Sequence, residues 1–418
     1  MFSKLVKFID NYKNPSEVIS FFESEMMNEA LISDKLEKLR VKDGYRGAVP
    51  FKRQFYWWFV QMLYVGFALR GGILFMMPVL APDNTFIPLI LGDGISSLGM
   101  AVRQMWYSLC INYSFLFGII RVTIRWAERK GHLTFMTDHT PEWGARPEQQ
   151  KLRFKLNLCF LGYKYFNLAI YASIVSNLGL SLVLDTLARQ SVPDFCFNLL
   201  WVCYNCTWML FAPTILIQLG VFMWLATKES TLRLRQMGQT GEDVLKLGVG
   251  GKASRIRRKT AKLVSQFEST RAAIVAYNDC LKYIFLLFRS LFIPIAATDC
   301  YVLFTGTFPN ALSRILVMSL CLNQLVVIFF YMSMAAVPHK ESIPVANVIF
   351  SILVRMKDRL SLQEKIALLK ITKKVTNHNY PLGYTCGDSF PFEGRSTMDF
   401  VLEVGSSAIL CLQMLTQI

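Results

Sequence analysis

The chain has 418 residues, 53% hydrophobic and 18% charged, with a mean hydropathy of +0.36 and a formal net charge of +16. That length would hold two soluble domains, but long apolar runs recur throughout, so the composition excludes them in favour of a polytopic membrane protein. The basic excess argues for positively charged cytosolic loops rather than for a nucleic-acid partner.

Residues 1–53 mix charged and apolar residues without an apolar core ahead of a small-residue cleavage site, so no cleavable signal peptide is expected. Within them, 15–44 predict one or two amphipathic helices. Pro15-Ser16 offers a start, Val18, Ile19, Phe22, Met26 and Leu31 an apolar face, and Gly44 a stop. Glu17, Glu23, Glu25 and Glu29 would be repelled by an anionic leaflet, which favours packing on a neighbouring loop.

Six apolar stretches follow, at 54–81, 88–120, 157–187, 194–226, 281–305 and 312–337, each near or above the ~20 residues a crossing needs. The first opens with an aromatic belt, Phe55-Tyr56-Trp57-Trp58, and carries Arg70, whose charge needs Asp93, Asp299 or a lipid phosphate as partner. Arg103 lies in the second. Loop 125–156 holds His132 and His139 at a spacing that fits no zinc pattern, so no metal site is expected. The third stretch carries Asn177. In the fourth, Phe197, Trp201, Tyr204, Asn205 and Trp208 share one helical stripe, which suits interhelical packing and a ligand wall equally.

Residues 228–282 are the most basic segment. Gly248-Val249-Gly250-Gly251 lacks the G-K-[ST] of a phosphate loop, so it reads as a hinge before a helix at 254–290 that runs into the fifth stretch. That stretch holds Arg289, Pro294, Asp299 and Tyr301. Residues 340–378 are amphipathic, with Ile349, Ile352, Leu353, Met356, Leu360, Ile366, Leu369 and Ile371 apolar, and suit packing at a cytosolic oligomer interface. The Cys203/Cys206 pair lies inside the fourth stretch, where a redox or zinc role is not expected. Without H-E-x-x-H, G-x-S-x-G or a soluble catalytic stretch, no enzyme activity and no cofactor are expected.

A Pro/Gly-rich connector from Tyr380 leads to the last stretch, 397–418, about 30 Å as a helix. Asp399, Leu402, Glu403, Ser406, Leu410, Gln413 and Gln417 recur there at three- and four-residue steps on one face, five of the seven polar. Such a stripe turns toward protein or water. Lys and Arg decide orientation. Segments 1–53, 121–156, 228–282 and 339–396 hold 39 of the 45, while the alternate connections hold only Arg189. The expectation is an all-α membrane protein of seven transmembrane helices with a cytosolic N-terminus and an extracellular C-terminus, opposite to a G-protein-coupled receptor.

The layout and the C-terminal motif resemble the insect gustatory receptor family of the chemoreceptor superfamily. Its seventh segment ends in T-Y, five apolar residues and Q-F after an approach like Tyr384-Thr385-Cys386-Gly387 and Phe390-Pro391-Phe392-Glu393. Here Gln417 stands at the family's glutamine, Leu410-Cys411 replaces T-Y, and Ile418 replaces the phenylalanine. The resemblance implies a ligand-gated, non-selective cation channel in the plasma membrane. It would be a homo- or heterotetramer, the last helix lining the pore, with cations, membrane lipid and a small-molecule tastant as partners. The tastant pocket would lie in the outer half of the bundle, where Arg103, Asn177, Trp201, Tyr204, Asn205, Trp208, Asp299 and Tyr301 fall. The expected division is a cytosolic N-terminal part at 1–53, six spans at 54–337, a cytosolic anchor and connector at 338–396, and the pore helix at 397–418. A secondary transporter and a non-conducting receptor of the same fold are the alternatives; neither internal repeats nor matched helix breaks favour the first.

Overall fold

The computed structural model describes residues 15–28, 51–81, 83, 86–93, 100–130, 154, 157–158, 160–162, 164–165, 192–248, 252–305, 311–376, 382–388, 390–392, 399, 402 and 405–406. Its elements are α1 (Pro15–Asn28), α2 (Phe51–Leu80), α3 (Phe86–Ile90), α4 (Met100–Arg129), α5 (Val192–Gly248), α6 (Ala253–Thr305), α7 (Ala311–Arg355) and α8 (Leu362–Thr376), with a small hairpin of β1 (Thr385–Cys386) and β2 (Phe390–Pro391). The chain divides into two compact units. The first is Met1–Val221 with Pro294–Leu322 and Cys411–Ile418; the second is Phe222–Ile293 with Asn323–Leu410. Most of the third apolar stretch, the histidines of loop 125–156 and the glycines at 249–251 lie outside the described residues.

In the first unit α2 and α4 run antiparallel. Small residues let them approach: a Cβ on Gly71 would meet Ile111, and one on Gly118 would meet Gln61. Tyr64 lies against Phe117, ring centroids 5.8 Å apart. One side of α2 is buried through Val60, Tyr64, Phe67 and Leu74, while Met62, Val65, Leu69, Ile73, Met76 and Leu80 stay exposed at helical spacing. An uncovered apolar stripe of that length is unusual for a protein bathed in water. Among the described residues two helical segments are long and apolar enough to cross a membrane, Phe51–Pro78 and Trp106–Arg129.

Among the described residues of the second unit, four helices share one core. Leu234, Met237 and Val244 of α5, Ile256, Leu263, Phe267 and Ile274 of α6, Ile349 and Ile352 of α7, and Leu368 and Ile371 of α8 form one core. Helix α5 therefore does not stop where its composition turns charged. At 57 residues it is about 85 Å long, far more than the ~30 Å of a bilayer core. Helix α6 starts at Ala253 and runs unbroken into the fifth apolar stretch, in line with the sequence expectation. Residues 340–378 do not form one helix. Helix α7 continues through Pro338 and Pro344 to Arg355, and α8 begins anew at Leu362. The restart is a capping box: the Ser361 amide donates to Glu364 at 2.7 Å, and the Glu364 amide donates back to Ser361 Oγ at 3.3 Å. Most of the face assigned to an oligomer interface turns inward instead. Ile349, Ile352, Met356, Leu360 and Ile371 are buried in this core, whereas Ile366 and Leu369 remain exposed.

Candidate functional site

Two arrangements bear on function, one in each unit. In the first unit, the buried guanidinium of Arg70 meets the end of α3. That short helix closes in a Schellman turn, with Gly92 left-handed at φ 65° and the Asp93 amide donating to the Pro88 carbonyl at 2.9 Å. Helix C-termini leave carbonyls unsatisfied and carry partial negative charge. Here Arg70 Nε donates to the Leu91 carbonyl at 2.7 Å and Arg70 Nη2 to the Gly92 carbonyl at 2.9 Å. Trp201 Nε1 donates to the Ile90 carbonyl at 2.5 Å. The indole also lies under the Arg70 guanidinium, 4.6 Å from the ring centroid. Only glycine fits at 92, because a Cβ would sit 2.6 Å from the Trp201 ring.

Asp93, directly after this turn, closes the knot. It takes Arg103 Nη2 at 2.6 Å and the Tyr107 hydroxyl at 2.7 Å. Of the three partners considered for Arg70, Asp93 contributes through the field, and the described contacts of the guanidinium include two backbone carbonyls. Tyr204, one turn beyond Trp201, donates its hydroxyl to the Leu63 carbonyl at 2.7 Å and stacks on Phe67 at 4.8 Å. A Cβ on Gly66 would run into that hydroxyl. Arg103, Trp201 and Tyr204 are thus brought together with α2, α3 and α4 in one buried polar cluster. Asn177 lies outside the described residues. Asn205, Trp208, Asp299 and Tyr301 lie on described helix backbone, but their side chains are not among the described parts.

In the second unit, the connector ahead of the terminal helix is a clamped hairpin. Strands β1 and β2 pair antiparallel with Thr385 opposite Pro391 and Cys386 opposite Phe390. Asn278 of α6 holds the hairpin at both ends of its amide. The Thr385 amide donates to Asn278 Oδ1 at 2.7 Å, and Asn278 Nδ2 donates to Thr385 Oγ1 at 3.0 Å. Gly387, left-handed at φ 62°, donates to the Lys282 carbonyl at 2.9 Å, and Lys282 Nζ bonds Asp388 at 2.7 Å. Tyr384 is fully buried beside Ser230 and packs with Phe392 around Phe285. Burial pushes its phenol well above the ordinary range, so it serves as a neutral hydrogen-bonding group.

Beyond the hairpin, Asp399, Leu402 and Ser406 are helical and exposed, as is Gly405. Leu402 keeps 65% of its surface uncovered. Glu403, Leu410, Gln413 and Gln417 lie outside the described residues. The clamp at Asn278 was missed in the sequence; its one signal is an Asn within an otherwise apolar and basic helix face.

No protein-family model and no curated protein matches the chain. Its fold does match solved structures. The insect olfactory receptor OR5 from Machilis hrabei in complex with eugenol superposes with a TM-score of 0.64 at 14% identity, covering 96% of this chain and 100% of that one. A second structure of the insect olfactory receptor OR5 from Machilis hrabei gives 0.60 at 13% identity, covering 95% and 99%. The likeness spans both chains almost end to end, and it is a likeness of fold.

Proposed function

We propose that this chain is one subunit of a ligand-gated, non-selective cation channel of the insect chemoreceptor type, opened by a small molecule and working in taste. The observation that carries the reading is the end-to-end fold match with an olfactory receptor solved with a small aromatic ligand, eugenol. The exposed helical positions Asp399, Leu402 and Ser406 support it from the chain itself. In a tetramer, four copies of Asp399 and Glu403 form acidic rings that concentrate cations, and Leu410 provides an apolar constriction that closes by dewetting.

The connector gives this reading a mechanical route. Because Asn278 and Lys282 of α6 hold the hairpin through side-chain and backbone hydrogen bonds, a displacement of α6 is delivered to the start of the terminal helix. The ligand pocket belongs to the outer half of the bundle, with Asn177, Asn205, Trp208, Asp299 and Tyr301 as its walls and Arg103, Trp201 and Tyr204 at its base. The test is expression in cells with no other chemoreceptor, followed by whole-cell recording during application of sugars, alkaloids and small aromatics. An agonist-evoked cation current that reverses near 0 mV is the expected result. A chain that reaches the surface as a monomer and conducts nothing would refute the reading.

A further inference from the structure

The outward face of α2 and α4 carries two adjoining hollows that the channel reading does not use. The upper one, about 770 Å³, is almost wholly apolar; Val65, Leu69, Ile73 and Met76 form one wall and Phe115 and Ile119 the other. Gly72 keeps its floor open, since nothing lies within 4 Å of where its Cβ would be. From Gln61 to Leu80 this cleft follows about 28 Å of helix, close to the ~30 Å of a hydrocarbon core. The lower one, about 410 Å³, adjoins it at Val122 and changes character. Trp57, Trp58 and Trp126 line it together with Gln54, Arg125 and Arg129.

The lower hollow is cationic. Arg125 is engaged by Glu128 at 2.7 Å. Arg129 is exposed and has no ion-pair partner among the described residues, and Lys52, Arg53 and Lys130 stand at the same end. Cations thus gather at this end of α2 and α4, with the buried Glu128 beside Arg125. Three indoles beside an arginine pair, at the foot of an apolar cleft, match a molecule with an anionic head, an amphipathic glycerol region and long hydrocarbon chains.

The geometry points to a binding site for an anionic glycerophospholipid. Its phosphate sits at Arg129 and Arg125, its glycerol among Trp57, Trp58 and Trp126, and one acyl chain lies in the cleft toward Met76. The inference rests on the membrane reading of the chain but not on conduction. A sterol or a detergent would satisfy the apolar cleft while leaving the cationic hollow unmatched. A second copy of the chain would have to bring an acidic patch to it.

Native mass spectrometry of the detergent-purified full-length chain, titrated with phosphatidylserine or phosphatidylcholine of identical acyl chains, tests this. One tightly held phosphatidylserine per chain is expected, with phosphatidylcholine at least several-fold weaker. Arg129→Gln, at an exposed position, should cut the serine-lipid preference about five-fold. Gly72→Phe, which grows into open space, should displace both lipids. Equal binding of the two lipids by the wild type, or no effect of either variant, overturns the site. So does disulfide cross-linking of Ile73→Cys between two chains in vesicles, which would assign the cleft to a second copy. Lipid selectivity that persists in a chain passing no current would sink only the channel reading. Recovery of the chain in the aqueous fraction without detergent would overturn both.

Discussion

Arg70 and Arg235 each hold a guanidinium by more than one hydrogen bond, yet they do different work. Arg70, only 5% exposed, satisfies the carbonyls of a helix end and lies over an indole. Arg235, with 54% of its side chain exposed, forks onto Glu341 at 2.7 and 3.2 Å across α5 and α7. The first sits where an unmet charge costs several kcal/mol, the second where water replaces any partner at little loss. The first unit is therefore specified by a few buried polar clamps. The second is specified by its apolar core, with ion pairs such as Lys259–Asp243 and Lys374–Glu268 along the surface.

The largest expected effect follows from breaking a buried clamp. Asp93→Asn leaves Arg103 without its counter-ion and should destabilise the first unit by about 3–5 kcal/mol. The double variant Asp93→Asn/Arg103→Gln should recover most of that loss. Thermal unfolding of the detergent-solubilised protein reads both; a single variant as stable as the wild type would erase the contrast between the units.

A middle-sized effect belongs to the connector. Asn278→Ala strips Thr385 of its amide acceptor and side-chain donor, a cost of about 1–3 kcal/mol that should stay local. Hydrogen exchange should quicken at 382–392 while the core of α6 and α7 keeps its protection. Uniform deprotection of the whole unit would show that the hairpin is not a separate clamp.

The smallest effect is Arg235→Gln, at most about 1 kcal/mol. The hydrogen bond from Arg235 holds the Glu341 carboxyl below its usual range. A depressed acid stabilises above its unfolded pKa and loses that contribution as pH falls through the folded value. The wild-type advantage over Arg235→Gln should therefore be present at neutral pH, begin to fall as pH drops past the free-glutamate value of about 4, and be lost below the depressed folded value, as denaturant midpoints across pH would report.

The same contrast explains what the residues made legible. Apolar runs and the Lys/Arg asymmetry are sums over many side chains, and they survive in a single sequence. Arg70 was recognisable as a buried cation needing a partner. Its described partners include two carbonyls, which every residue has, so no side-chain inventory could find those. The one hint was Gly92 ending Phe86-Ile87-Pro88-Leu89-Ile90, a helix stop for which residue 70 supplies the cap. Composition can change without a change of backbone. At 226–228 the residues turn charged, yet α5 continues, because Glu229, Arg233 and their neighbours are good helix formers and pair at i, i+4. The Trp201 and Tyr204 stripe admitted a packing role and a ligand role. The structure gives both residues partners on α2 or α3 and assigns their polar atoms to backbone carbonyls.

The central claim is that the exposed face of the terminal helix lines a conduction path. Single cysteines at Asp399, Leu402 and Ser406, and for comparison at Phe400, Val401 and Val404, should be tested for block of agonist-evoked current by a permeant thiol reagent. Rapid block is expected at 399, 402 and 406 and none at the other three. Block confined to 400, 401 and 404 would contradict it.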